Sequence, residues 1–221
     1  MTTLPKDDLC ERILAIDPAG SGALLRSKAT QLADIMLPRT VLADGRFGFR
    51  ANLRTTITLQ LGNAPSPDAP TETIELLAYD SEIHLKDPVL MLDGDMRVEL
   101  ETLSYVAKGI SKELWPGKTV TLRVGSGQDP MLRPTFGFLQ ISPLKQLGVD
   151  PVLSVQHVFV EAETPIGNLR NREAAIMHCD LLSIPPVKQP YRQQGIVELV
   201  DDTGDVVALK IDTESEILEV D

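Results

Sequence analysis

The sequence predicts a mainly β protein, an antiparallel sandwich or barrel, with an N-terminal helical arm and one or two short later helices. Three observations support this fold class. Apolar and polar residues alternate repeatedly from residue 46 onward, and turn sequences rich in glycine, proline and aspartate separate the alternating segments. Helical spacing, in contrast, is concentrated in the first 45 residues. We therefore expect an arm over residues 1–45 and one β-rich domain over residues 46–221.

The arm contains two predicted helices. The first, Asp7–Ile16, should end at Asp17 because a residue before proline avoids the α region. The second begins near Ser21 and ends before Pro38. Its apolar residues recur at helical intervals, at Leu25, Ala29, Leu32, Ala33 and Met36. The glycines around Ser21 indicate a helix cap rather than a phosphate loop, because the third glycine of GxGxxG is missing and no strand leads in.

Two hairpins open the β-rich domain. The first joins Thr55–Leu61 to Thr73–Tyr79 through Asn63–Thr71, whose three prolines indicate an exposed loop. The second turns tightly at Asp93-Gly94, since this dipeptide supplies the positive φ angles of a type I′ turn. Its arms are Val89–Leu92 and Met96–Leu100.

Two later segments carry helical spacing. In Glu99–Leu114, the pattern predicts a strand that passes into a helix, with apolar residues at Leu103, Val106, Ala107, Ile110 and Leu114. In Asn171–Leu182, both a short helix and a strand fit the pattern, and propensity favours the helix. Its inward residues would then be Ala174, Met177 and Leu181.

The remaining segments are predicted to be extended. Thr119–Val124 and Phe136–Ile141 should form a strand pair, and Val152–Glu163 alternates like a further strand. Ile184–Tyr191 carries three prolines and indicates an extended connector. The clearest hairpin joins GIVELV to VVALKI through DDTGD, over residues 195–211.

Charge and composition exclude several classes of protein. With 21 basic and 32 acidic residues, the net charge of −11 repels phosphate, so we expect no nucleic-acid partner. The dispersed Arg39, Arg46, Arg50 and Arg54 indicate a solvated or partner-facing strand. A hydrophobic content of 43% indicates neither a membrane-spanning nor a disordered chain. The acidic N-terminus does not resemble a signal peptide, so we expect a location in the cytoplasm or a virion.

No residue is predicted to be catalytic, cofactor-binding or metal-ligating. The histidines are far apart, and Cys10 and Cys179 cannot supply a disulfide scaffold or a structural zinc site. His178-Cys179-Asp180 holds the residue types of a thiol site, but neighbouring side chains point in different directions, so Cys179 is interpreted as a buried structural residue. The acidic loop around Thr203 lacks calcium-loop spacing and indicates a plain turn. Its carboxylates are Asp201, Asp202 and Asp205.

Glu161 and Glu163 are the exception that could carry chemistry. They lie two residues apart in an alternating segment and therefore share one strand face. Paired carboxylates are what glycoside hydrolysis requires. A hydrolase is therefore kept as a hypothesis, which requires an apolar cavity beside the two side chains.

One stretch resembles a known class of protein. From Glu113 to Lys145, a Gly-Lys turn leads into a strand that ends in glycine, followed by a loop and a returning strand. This arrangement resembles segments of tailed-bacteriophage tail and baseplate structural proteins. The resemblance implies a virion component in a tail, neck or baseplate, whose partners are copies of itself or neighbouring virion proteins. It assigns no role to individual residues.

Three functions follow from the sequence. The leading hypothesis is a non-enzymatic structural or assembly protein that oligomerises and needs no cofactor. The second is a cytoplasmic ligand-binding or adaptor module built on an antiparallel barrel. The third is the hydrolase that would use Glu161 and Glu163.

Overall fold

The computed structural model describes residues 40–41, 47–86, 89–92, 94–125, 132–142, 145 and 148–220. These residues contain strands, turns and bends, and no helix among them, so the mainly β prediction is confirmed. The fourteen strands are β1 (Thr40–Val41), β2 (Phe47–Leu61), β3 (Thr71–Leu85), β4 (Val89–Leu90), β5 (Met96–Ile110), β6 (Thr119–Val124), β7 (Thr135–Ile141), β8 (Val152–Val158), β9 (Val160–Thr164), β10 (Gly167–Asn171), β11 (Ala175–Leu181), β12 (Tyr191–Gln194), β13 (Val197–Val200) and β14 (Val206–Val220).

The strands close into an eight-membered antiparallel barrel. Four long strands of fifteen residues each, β2, β3, β5 and β14, lie side by side, and β14 pairs with β2. Each of the other four barrel positions is held by two short strands: β6 with β7, β8 with β9, β10 with β11, and β12 with β13. Neighbours around the ring are also neighbours along the chain, which is the up-and-down arrangement that removes open sheet edges.

Register shifts in the long strands change which side chains point into the barrel near its middle. The register shifts in β2 at Asn52, in β3 near Asp80 and in β14 between Lys210 and Asp212. Asp80 has a φ of +53°. A bulge inserts one residue and reverses the alternation beyond it. In β14 the bulge leaves both Lys210 and Thr213 buried and on the inner side.

Two apolar clusters fill the two halves of the barrel. One lies where β7, β8, β11 and β12 complete the ring, and it includes Val98, Leu139 and Leu181. The other lies where β6, β9, β10 and β13 complete the ring, and it includes Ile57 and Leu169. A barrel of eight strands is just wide enough for its side chains to fill or for one small ligand to enter.

The predicted helix within Glu99–Leu114 is wrong. Strand β5 runs to Ile110 and pairs with β3, β6 and β7. A register shift near Leu103 changes the inward phase, so that Leu100 and Tyr105 are both buried. The helical pattern arises instead from the buried residues Leu103 and Ala107, because a spacing of four residues fits one helical turn and also two strand repeats.

The helix favoured for Asn171–Leu182 is also wrong, because Ala175–Leu181 is strand β11. Its alternate residues Ala175, Met177, Cys179 and Leu181 are buried. Met177 and Leu181 fit both periods, since four residues is close to one helical turn and also two strand repeats. All seven residues pair with β8, so the segment forms a strand.

The predicted hairpins are confirmed, with one correction. Strand β4 pairs with β5, with Gly94 at a φ of +85° between them, and the turn after Val200 joins β13 to β14. Residues 62–70 form the predicted loop between β2 and β3. Thr119–Val124 and Phe136–Ile141, however, do not pair with each other. Both pair with β5, as the two halves of one barrel position.

The predicted N-terminal helices, Asp7–Ile16 and the segment from Ser21 to Pro38, lie outside the described residues. Within the range assigned to the arm, Thr40–Val41 forms strand β1 and pairs with β2. Within the described part of the chain, no helix could span a membrane.

Candidate functional site

A cavity of about 100 Å³ lies inside the barrel, between the two apolar clusters. All of the barrel positions contribute to its wall, and most of the lining side chains are apolar. They include Leu100, Leu122, Val160, Met177 and Ile217. Concave, mostly apolar sites with a few polar groups are typical of small-molecule binding. The barrel interior is therefore the candidate site.

Segments outside the strands contact the interior at both ends of the barrel. At one end, Leu114 and Trp115 of the segment after β5 pack against the neighbouring apolar cluster. The buried carboxylate of Glu72 fixes this segment by accepting hydrogen bonds from the Ser111 hydroxyl at 2.6 Å and from the Leu114 amide at 2.9 Å. At the other end, Ile184 and Pro186 of the connector between β11 and β12 line the cavity.

Hydroxyl groups line part of the cavity wall. The Tyr105 hydroxyl donates to Thr55 Oγ1 at 2.6 Å, and Thr55 Oγ1 lies 2.7 Å from Ser215 Oγ. Across the interior, the Tyr191 hydroxyl donates to Ser154 Oγ at 2.9 Å. Burial raises the pKa of Tyr191 to about 12, so this tyrosine is a neutral donor at physiological pH.

Lys210 is the single charged residue among the described residues that line the cavity. It is 2% exposed and ranks among the largest fully buried side chains of the described chain. The ion pairs formed between described residues do not include it. Burial lowers its pKa to about 8, and the charge of Asp212 opposes this shift. A buried lysine without a close counter-ion is rare and destabilising, so its position calls for a functional explanation.

Ser81 supplies an unpaired polar group. Its side chain is 1% exposed and lines the cavity, and its hydroxyl has no hydrogen-bond partner among the described residues. Leaving a buried hydroxyl unpaired costs on the order of 1–3 kcal/mol. A polar group of a bound molecule would remove this penalty.

The predicted carboxylate pair lies elsewhere. Glu161 and Glu163 are both on the outer face of β9, since the residues between and before them, Ala162 and Val160, are in the core. Glu161 pairs with Arg170 at 2.6 Å, and Glu163 pairs with Arg123 at 2.7 Å. The cavity is on the opposite face of the strand. The arrangement therefore gives the hydrolase hypothesis no support.

The other residues singled out from the sequence have structural positions. Cys179 is buried among apolar side chains, and burial raises its pKa to about 11, so at neutral pH it is a thiol rather than a reactive thiolate. The Asp201 carboxylate accepts hydrogen bonds from the amides of Thr203, Gly204 and Asp205, so the acidic segment is a turn, as predicted. Among the described residues, no group of histidine, cysteine, aspartate or glutamate side chains could hold a metal ion. Cys10 lies outside these residues.

The arginines of β2 lie on the outer surface of the barrel, which is compatible with the predicted solvated or partner-facing strand. Arg50 pairs with Glu82 at 3.0 Å, and Arg54 pairs with Glu216, both on the outer surface. Arg39 and Arg46 lie outside the described residues. The described arginines are thus neutralised by neighbouring carboxylates rather than gathered into a basic patch.

Comparison with known proteins shows the fold alone. No family model and no curated protein matches the chain. Among solved structures, the chain is similar to DynF from the dynemicin biosynthesis pathway of Micromonospora chersina. The TM-score is 0.60 with 16% sequence identity, over 77% of this chain and 79% of DynF. This likeness supports the β architecture.

Proposed function

We propose that the protein binds a compact apolar small molecule inside its barrel. The observation that carries this proposal is the mostly apolar cavity inside the barrel, which is lined by a buried lysine and by a serine hydroxyl that has no hydrogen-bond partner among the described residues. It corresponds to the second of the functions derived from the sequence, the ligand-binding barrel. DynF is described as belonging to a biosynthesis pathway, which is compatible with small-molecule binding by this fold.

The size of the cavity indicates the size of the ligand. A dry apolar cavity of about 150 Å³ holds benzene in another protein, and the cavity here is about 100 Å³. A ligand with a body no larger than one aromatic ring would fit with small shifts of the lining side chains. We expect it to carry a single polar group, because one lysine and a few hydroxyls are available to recognise it.

Filling the cavity should abolish binding. Ser81→Leu places a larger apolar side chain in the interior and removes no hydrogen bond, since the Ser81 hydroxyl has none. Fluorobenzene is a suitable ligand, because its ¹⁹F resonance broadens and shifts on binding. We expect saturable binding to the wild type and at least about a tenfold loss of affinity in Ser81→Leu.

The matched control is Glu75→Leu. Glu75 lies on the exposed outer face of the same strand, β3, so the substitution adds the same side chain outside the barrel. Binding by this variant should equal that of the wild type. Equal binding by Ser81→Leu, or no binding by any of the three proteins, would contradict the proposal.

The assembly hypothesis stays a prediction. The fold and its likeness to DynF do not bear on a role in a phage tail, neck or baseplate. If the chain is an assembly component, light scattering over a range of concentrations should give the mass of a defined ring or higher oligomer. A strict monomer at all concentrations would contradict self-assembly.

A further inference from the structure

We propose that Lys210 captures an apolar aldehyde inside the barrel as an imine. This inference rests on the proposed ligand-binding function and adds the chemical class of the ligand. Its geometric basis is the position of Lys210, which is buried and lines a mostly apolar cavity. Several hydroxyl groups line the same cavity. Among the described lining residues, no other side chain is charged.

The local structure of β14 places the amine in the interior. In a regular strand, Lys210 and Asp212 would point to the same face of β14. The register shift between them breaks this alternation, so that Lys210 is buried and Asp212 is exposed. Thr213 and Ser215 are the next cavity-lining residues along the strand. Lys210 therefore shares one wall of the cavity with these two hydroxyl-bearing residues. The reacting carbonyl would therefore lie beside hydroxyl groups that can donate to its oxygen.

The environment of Lys210 makes it a nucleophile. A lysine amine attacks only in its neutral form, and desolvation in an apolar site increases that form. With a pKa of about 8, the neutral fraction at pH 7 is about 300-fold larger than for a lysine at the ordinary value of 10.5. The negative charge of Asp212 raises the pKa of Lys210 and so opposes the effect of burial.

The reaction balances without any further reagent. The lone pair of the neutral amine forms a bond to the carbonyl carbon, and the carbonyl oxygen takes a proton as the carbinolamine forms. Loss of the hydroxyl group and one nitrogen-bound proton as water leaves the C=N double bond. Hydrolysis reverses both steps, so the aldehyde is held and released rather than consumed.

The test is reductive trapping on the full chain. The protein is incubated with benzaldehyde and sodium cyanoborohydride, which reduces an imine to a stable benzylamine, and the labelled lysine is located by peptide mass spectrometry. We expect one benzyl group per chain, on Lys210, added at least about tenfold faster than to any other lysine. The labelling rate should rise with pH and level off above pH 8.

Two variants control the experiment. Lys210→Met should lose the fast label, while Lys108→Met, which removes an exposed lysine on the outer face of β5, should keep it. Labelling spread over exposed lysines with none at Lys210 would overturn the proposal. If fluorobenzene still bound in that case, only the imine would be excluded; if it did not bind, the proposed function would fail as well.

Discussion

Replacing Lys210 with methionine is expected to stabilise the protein by roughly 3 kcal/mol at neutral pH. Burial lowers the lysine pKa from 10.5 to about 8, and each pKa unit corresponds to about 1.4 kcal/mol. Methionine has a similar length, fills the same space and carries no charge. Urea unfolding of the wild type and Lys210→Met at neutral pH measures the difference.

The pH dependence identifies the cause of that gain. Between pH 8 and 10.5 the unfolded chain binds a proton at Lys210 that the folded chain has released, so wild-type stability should rise across this range through this residue. The advantage of Lys210→Met should therefore be full below pH 8 and shrink towards pH 10.5. A variant less stable than the wild type would contradict the account, because it would mean that Lys210 has a stabilising partner.

Substitution of Glu72 is expected to have a comparable effect in the opposite direction. Its carboxylate accepts hydrogen bonds from the Ser111 hydroxyl and from two backbone amides, those of Lys112 and Leu114, and so fixes the segment after β5 at one end of the barrel. Hydrogen bonds to a charged group contribute about 1.5–3 kcal/mol each. Because glutamine offers one acceptor oxygen in place of two, Glu72→Gln should lose about 3 kcal/mol of unfolding free energy.

The acid dependence of this effect can be measured with a matched control. Burial raises the Glu72 pKa, but the hydrogen bonds from Lys112, Ser111 and Leu114 outweigh it, so the net pKa is lowered. Stability from this group is present above pH 4.5 and is lost as the pH falls through the folded pKa. Glu72→Gln should flatten that loss, whereas Glu75→Gln, on the exposed face of β3, should leave it unchanged. Equal unfolding free energies for the two variants would contradict the role of Glu72.

Much of the fold could be predicted from alternation and turn chemistry. The hairpins between β4 and β5 and after Val200 could both be predicted, because local sequence determines tight turns. The two strands that were predicted as helices, β5 and β11, have buried residues four apart, a spacing that fits a helix as well as a strand. Closure of the barrel depends on pairing between β2 and β14, and such a long-range contact has no local signature.

The candidate site could not be predicted in the same way. In VVALKI every residue except Lys210 is apolar, so alternation does not indicate which way Lys210 points. Its position inside depends on the pairing of Lys210 with the core residue Leu59 in the closed ring. Glu161 and Glu163, which did stand out in the sequence, were correctly assigned to one strand face, but that face is the outer one.

The most direct test of ligand binding in the interior is a methyl NMR titration of the full chain with fluorobenzene. The account predicts saturable shift changes for cavity-lining methyl groups, such as those of Leu139, Met177 and Ile217. The exposed outer residues Leu153 and Ile176 serve as internal controls. Changes confined to these outer residues, with the cavity-lining signals unmoved at saturating ligand, would contradict the account.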